Sequence, residues 1–131
     1  MDPMETKRQI FDHTIGLLQK ALDLRTLRHR ILSDNIANSD TPNFSPQEVP
    51  FHKVLQERMQ GSFFPSLRVT HPHHLAGGFQ NAVELVRSAE GIELDQEMAK
   101  LAENNLIFQA TVQALMKKFD ALKTVIQEGG R

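Results

Sequence analysis

Near the C-terminus, Leu94, Met98, Leu101, Asn105, Phe108, Val112, Leu115, Phe119, Leu122 and Ile126 recur at alternating spacings of four and three. That is the a/d seam of a heptad helix, and every member except Asn105 is apolar. Such a stripe needs a partner helix along its length, and it carries no reactive group. Leu106, Ile107, Met116 and Val125 widen the apolar face, while Ala102, Gln109 and Thr111 flank it where a two-stranded zipper has paired charges. An assembly surface in a bundle with several neighbours therefore fits better, with one wall of an intramolecular core as the plainer alternative. Gly91 precedes the seam. Glu93, Asp95 and Glu97 put negative charge at the expected helix start, and Gly129-Gly130 stop it. A helix from Leu94 to Gln127 would be about 50 Å long.

The N-terminal stretch mirrors this one. Asp2-Pro3-Met4-Glu5 has the form of an N-cap, a proline at the first helical position and a box-closing glutamate. Ile10, Leu17, Ala21, Leu24 and Ile31 form one apolar row, and Phe11, Ile15, Leu18, Leu22, Leu32 and Ile36 form a second beside it. Only Gly16 interrupts before Asn38, so a second helix of matched length, about 50 Å, is predicted.

Between the helices the pattern changes. All prolines except Pro3 lie there, and Thr41-Pro42, Ser45-Pro46 and Val49-Pro50 impose an extended path. Phe51 to Met59 can form a short amphipathic helix with Phe51, Val54, Leu55 and Met59 on one face, ended by Gly61 and Phe63-Phe64-Pro65. Leu67 to Thr70 and Val83 to Val86 are weak strand candidates, and Gly77-Gly78 is a turn. The expected fold is mainly α. Long N- and C-terminal helices form an antiparallel coiled-coil-like pair, joined by an extended, Pro-rich middle segment with little regular structure. The boundaries are 1–38, 39–91 and 92–131, all in one structural unit.

Composition narrows function more than fold. With 15 basic and 16 acidic residues well mixed, neither nucleic acid nor an anionic membrane is implied. The cluster Arg25, Arg28, His29 and Arg30 is expected to be a solvated helix face. No cysteine is present, which excludes disulfides and thiol catalysis. No apolar run is long enough to span a membrane, and the N-terminus lacks the layout of a secretory signal peptide. His71-Pro72-His73-His74 is the best metal candidate, yet adjacent histidines diverge and no carboxylate lies near, so no metal site is expected. His29, Ser33 and Asp34 do not form a triad, because Asp34 falls on a different helix face from Ser33. No catalytic residue and no cofactor is expected.

The junction Asn35-Ile36-Ala37-Asn38-Ser39-Asp40-Thr41-Pro42-Asn43-Phe44 is dense in hydrogen-bonding side chains. Asn38 tolerates the left-handed conformation that closes a helix, Asn35 can clamp the turn from one turn earlier, and Pro42 stops continuation. Asn35, Ile36, Ala37, Asn38, Thr41, Pro42 and Phe44 closely resemble the Asn-Ile-Ala-Asn-x-x-Thr-Pro-x-aromatic signature of the flagellar axial proteins, the rod, hook and hook-associated subunits. The small size narrows the resemblance to the rod proteins. Leu27 through Phe44, Phe51 to Leu55 and Leu94 to Leu106 carry it, so it covers nearly the whole chain. Phe44 stands where a tyrosine is common, and the chain has no tyrosine.

The resemblance implies a structural subunit of the basal-body rod, at its proximal end, stacking helically around a central channel through its terminal helices to transmit torque. It implies as partners further copies of the chain, other rod and basal-body proteins, and the flagellar type III export apparatus. It places the chain in the periplasmic rod, reached without a cleaved signal peptide. Early substrates of that route carry a Phe-x-x-x-apolar element, which Phe51 and Leu55 match. Phe11 with Ile15 and Phe63 with Leu67 match it too, and Phe51 is preferred because it follows the junction. The alternative function is a soluble helical-hairpin module that docks a partner coiled coil.

Overall fold

The computed structural model describes residues 2–60 and 83–130. Helix α1 runs Pro3–Ala37, strand β1 Gln47–Glu48, helix α2 Phe51–Met59, strand β2 Val86–Arg87 and helix α3 Leu94–Gly129. The architecture is thus mainly helical, with a long helix at each terminus. The candidate strand at Leu67 to Thr70, the Gly61 and Phe63-Phe64-Pro65 stop, the Gly77-Gly78 turn, the histidine motif and the Phe63–Leu67 element all lie outside the described residues. So does the side chain of Phe11.

Local chemistry sets the helix ends. The Asp2 carboxylate accepts from the Met4 N–H at 3.1 Å, and Pro3 occupies the first turn, where no donor is needed. At the other end of α1 the Asn38 N–H donates to the Asp34 and Asn35 carbonyls at 3.1 and 3.2 Å. The Asn38 side chain adds a bond to the Asp34 carbonyl at 2.8 Å and accepts from the Thr41 hydroxyl at 3.2 Å. Asn38 itself has φ −101° and ψ 14°, so it is not left-handed as the sequence suggested. The left-handed residue is Asn43, with φ 60°, which turns the chain after Pro42. Asparagine is the non-glycine residue best suited to that conformation, because its short amide satisfies local backbone.

The described part of the middle segment, residues 39–60 and 83–91, holds three short elements. Its Phe51–Met59 helix has the predicted bounds. β1 and β2 pair antiparallel, Gln47 with Arg87 and Glu48 with Val86, and the Ser88 N–H extends the ladder to the Pro46 carbonyl at 2.9 Å. The strand candidate at Val83 to Val86 is realised only from Val86. Val83 instead points into the core, as do Val49 and Val54, where they meet Leu24, Leu27 and Ile31 of α1, with Phe51, Leu55 and Leu85 against them. The described part of this segment thus packs its few apolar side chains on α1. It supplies half of the one core formed by the described residues, since small β-branched residues fill the narrow space between a short helix and α1.

Candidate functional site

The junction motif is where α1, β1 and α3 meet. Asn35, 1% exposed, is the meeting point. Its amide nitrogen donates to the Gln47 carbonyl at 2.7 Å and its amide oxygen accepts from the Gln47 N–H at 3.0 Å. A side chain thus takes the place of a strand beside β1. The same nitrogen donates to Glu97 Oε2 at 3.0 Å. Asn35 does not clamp its own turn, as the sequence suggested; it reaches 12 and 62 residues along the chain.

Charge completes the cluster. Lys100 Nζ lies 3.0 Å from Glu97 Oε1 and 3.5 Å from Glu48 Oε2, and Arg28 Nε donates to Glu48 Oε1 at 3.0 Å. Glu97 is 6% exposed, so its carboxylate needs both the Asn35 amide and the Lys100 ammonium to stay buried. The hydrogen bond from Lys100 to Glu97 raises the lysine pKa; burial opposes this, and the charges of Glu97 and Glu48 add to it.

A second contact lies three turns back along α1. Arg25 is buried, its Nη1 donates to Asn104 Oδ1 at 3.3 Å, and its guanidinium sits 3.7 Å from the centroid of the Phe51 ring. The Asn104 amide donates in return to the Arg25 carbonyl at 2.9 Å. Burial pushes the Arg25 pKa down, Arg28 adds to this and Glu103 opposes it. The expected solvated basic face is thus corrected at two of its members. Arg25 and Arg28 are internal struts, while His29 and Arg30 remain exposed. The Ser33 hydroxyl donates to the His29 carbonyl at 2.8 Å, which is helix back-bonding rather than a triad.

Of the other motif residues, Ile36 and Phe44 are half-buried, and Ala37, Thr41 and Pro42 are exposed. Phe51 and Leu55 are half-buried against the core. The heptad seam is only partly covered. Leu101, Phe108, Val112 and Leu115 are half-buried, while Leu94, Met98, Asn105, Phe119, Leu122 and Ile126 are exposed. The buried polar residue of α3 beside Arg25 is Asn104, next to the seam's Asn105 and about 100° away around the helix. Arg25, Arg28, Glu48, Glu97, Lys100 and Asn104 were not singled out as site residues from sequence. The Glu97–Lys100 spacing and two adjacent asparagines inside a helix were the available signals.

Buried amides and ion pairs that hold helices to one another, beside long apolar faces left uncovered, define a helical scaffold subunit. Among the described residues no group of three His, Asp or Glu side chains could hold a metal ion, and no helix is long and apolar enough to cross a membrane. No protein-family model matches the chain. Curated relatives do. The flagellar basal body rod protein FlgB of Proteus mirabilis is 30% identical over 132 residues, covering 90% of this chain and 96% of that protein. FlgB of Bacillus subtilis is 29% identical over 128 residues, covering 92% and 98%. FlgB of Escherichia coli K12 is 27% identical over 132 residues, covering 90% and 96%. The chain belongs to the FlgB family of flagellar basal body rod proteins.

Proposed function

We propose that this chain is a structural subunit of the bacterial flagellar basal-body rod, at its proximal end, and not an enzyme. It assembles helically with further copies and with other rod proteins through α1 and α3, which form one antiparallel pair, and transmits torque along them. The contacts Arg25–Asn104 and Asn35–Glu97 support that pairing, because residue numbers fall on α3 as they rise on α1. Segments 1–38, 39–91 and 92–131 act as one structural unit. The chain reaches the periplasmic rod through the flagellar type III export apparatus without a cleaved signal peptide, and Phe51 with Leu55 form the element recognised there. Both side chains are packed on the core, so recognition belongs to a chain with α2 undocked. The seam Leu94 to Ile126 and the motif Asn35 to Phe44 are the assembly residues.

The observation that carries the assembly reading is the exposure of apolar side chains on both long helices. Met4 and Ile10 on α1, and Met116, Phe119, Val125 and Ile126 on α3, stand in solvent. Patches of this extent mark surfaces that another molecule covers. The alternative, a hairpin module for a partner coiled coil, is not favoured, because the relatives that match nearly the whole chain are rod proteins. Ile126→Asp tests the proposal. The isolated chain should keep its helix content and denaturation midpoint, while rod incorporation and motility are lost. Working flagella with Ile126→Asp would show that the seam is not an assembly interface.

A further inference from the structure

A seam with nine apolar members out of ten cannot choose its own register. Sliding α3 by seven residues, about 10 Å along its axis, puts Phe108 where Leu101 was, Leu115 where Phe108 was and Leu122 where Leu115 was. Apolar burial is non-directional and follows area, so it distinguishes such registers poorly. Buried polar groups distinguish them sharply. Asn104 is 1% exposed and exchanges two hydrogen bonds with Arg25, whose guanidinium is held over Phe51. After a slide of one heptad, the level of Arg25 is met by Glu97 or by Thr111, whose hydroxyl already donates to the Ile107 carbonyl at 2.8 Å. The Asn35–Glu97 contact is broken in the same movement. Glu97 would still accept from the Arg25 guanidinium, but neither Glu97 nor Thr111 offers the Arg25 carbonyl the amide donor that Asn104 does, and the buried Asn35 amide loses its carboxylate, which is penalised.

We infer that Arg25 and Asn104 are the specificity-determining pair that fixes the register of α3 on α1, and so fixes which part of the apolar seam each subunit presents to its neighbours. This rests on the reading of α1 and α3 as one antiparallel pair. Arg25 also ties that register to the seat of α2, because the same guanidinium that reaches Asn104 covers the Phe51 ring. A buried polar group that selects one alignment at some cost in stability is well established in coiled coils.

The chain has no cysteine, so two introduced thiols are its only labelling sites. Thr26→Cys on α1 and Ala121→Cys on α3 replace exposed residues. From the level of Asn104 to residue 121 is about 25 Å along the pair. Spin labels at these sites should give one distance population in the dilute parent chain. Arg25→Met combined with Asn104→Leu removes both polar partners together. It should keep the helix content and add a second population displaced by about 10 Å. Asn104→Gln, which keeps both an acceptor for the Arg25 guanidinium and a donor for the Arg25 carbonyl, should keep the single population. An unshifted single population in the double variant overturns the inference. So does loss of helix in that variant, because the pair would then hold the fold rather than choose its register. A second population with Asn104→Gln overturns it too. A parent chain without a discrete distance undoes the paired-helix reading, and the inference with it.

Discussion

Around the junction, Leu24, Leu27, Ile31 and Leu32 of α1 are buried, and Glu97 and Asn104 of α3 are locked to Asn35 and Arg25. Towards the other end of the same two helices, Met4, Ile10, Met116, Phe119, Val125 and Ile126 are exposed, and every residue from Phe119 to Gly130 lies in solvent. Both regions carry the same apolar periodicity. What separates them is the middle segment, which returns to α1 near the junction and supplies Val49, Val54 and Val83 as a third layer. A helix pair alone covers one stripe on each helix, and a third layer is needed to bury more. One end of the helices is therefore covered by the chain's own middle segment, while the other keeps its apolar side chains exposed.

The largest expected effect comes from the core. Leu24→Ala should destabilise the isolated chain by about 2–5 kcal/mol, whereas Met116→Ala on the exposed half should change it by about 0.5 kcal/mol or less. Urea denaturation of both variants measures the difference, and equal losses would erase the contrast between the two regions. Next is the buried amide. Asn35→Ala strips the Gln47 N–H and carbonyl and the Glu97 carboxylate of a partner, at about 2–3 kcal/mol. Hydrogen exchange at the Gln47 amide should accelerate well before global unfolding. An unchanged exchange rate there would show that Asn35 is not the strut between α1 and β1.

The smallest effect is a pH dependence confined to the junction end. The ammonium of Lys100, held by Glu97 and also by Glu48, has a pKa raised above the ordinary lysine value of about 10.4. The folded chain thus binds this proton more tightly than the unfolded chain does. Its stabilisation is complete below the ordinary value and disappears as pH climbs through the raised one. Stability should fall with increasing pH on the alkaline side, and Lys100→Met should flatten that fall. With its side chain 38% exposed, Lys100 is screened by solvent and the effect is modest. An identical alkaline slope in both proteins would remove Lys100 as its source.

Both long helices, the Asp2 cap, the Phe51–Met59 helix and the family motif could be read from the sequence, because each rests on interactions within a few residues. Helical period, capping side chains and proline exclusion need no knowledge of the rest of the chain. What the motif does could not be read that way. Asn35 and Asn38 stand in one short signature, yet Asn38 serves its own turn while Asn35 bonds β1 and α3. The left-handed residue is Asn43 rather than Asn38, since the position of the turn depends on where β1 must go. Arg25 and Arg28 resembled a solvated face until β1, α2 and α3 closed over that side of α1. The clearest case is the asparagine dyad on α3. The heptad singled out Asn105 as the polar member of the seam, and packing buried Asn104 instead. One residue is about 100° of rotation on a helix. Periodicity determines that a face exists and how wide it is. Which side of that face meets α1 depends on contacts between residues 79 apart in sequence, and only the tertiary structure brings those together.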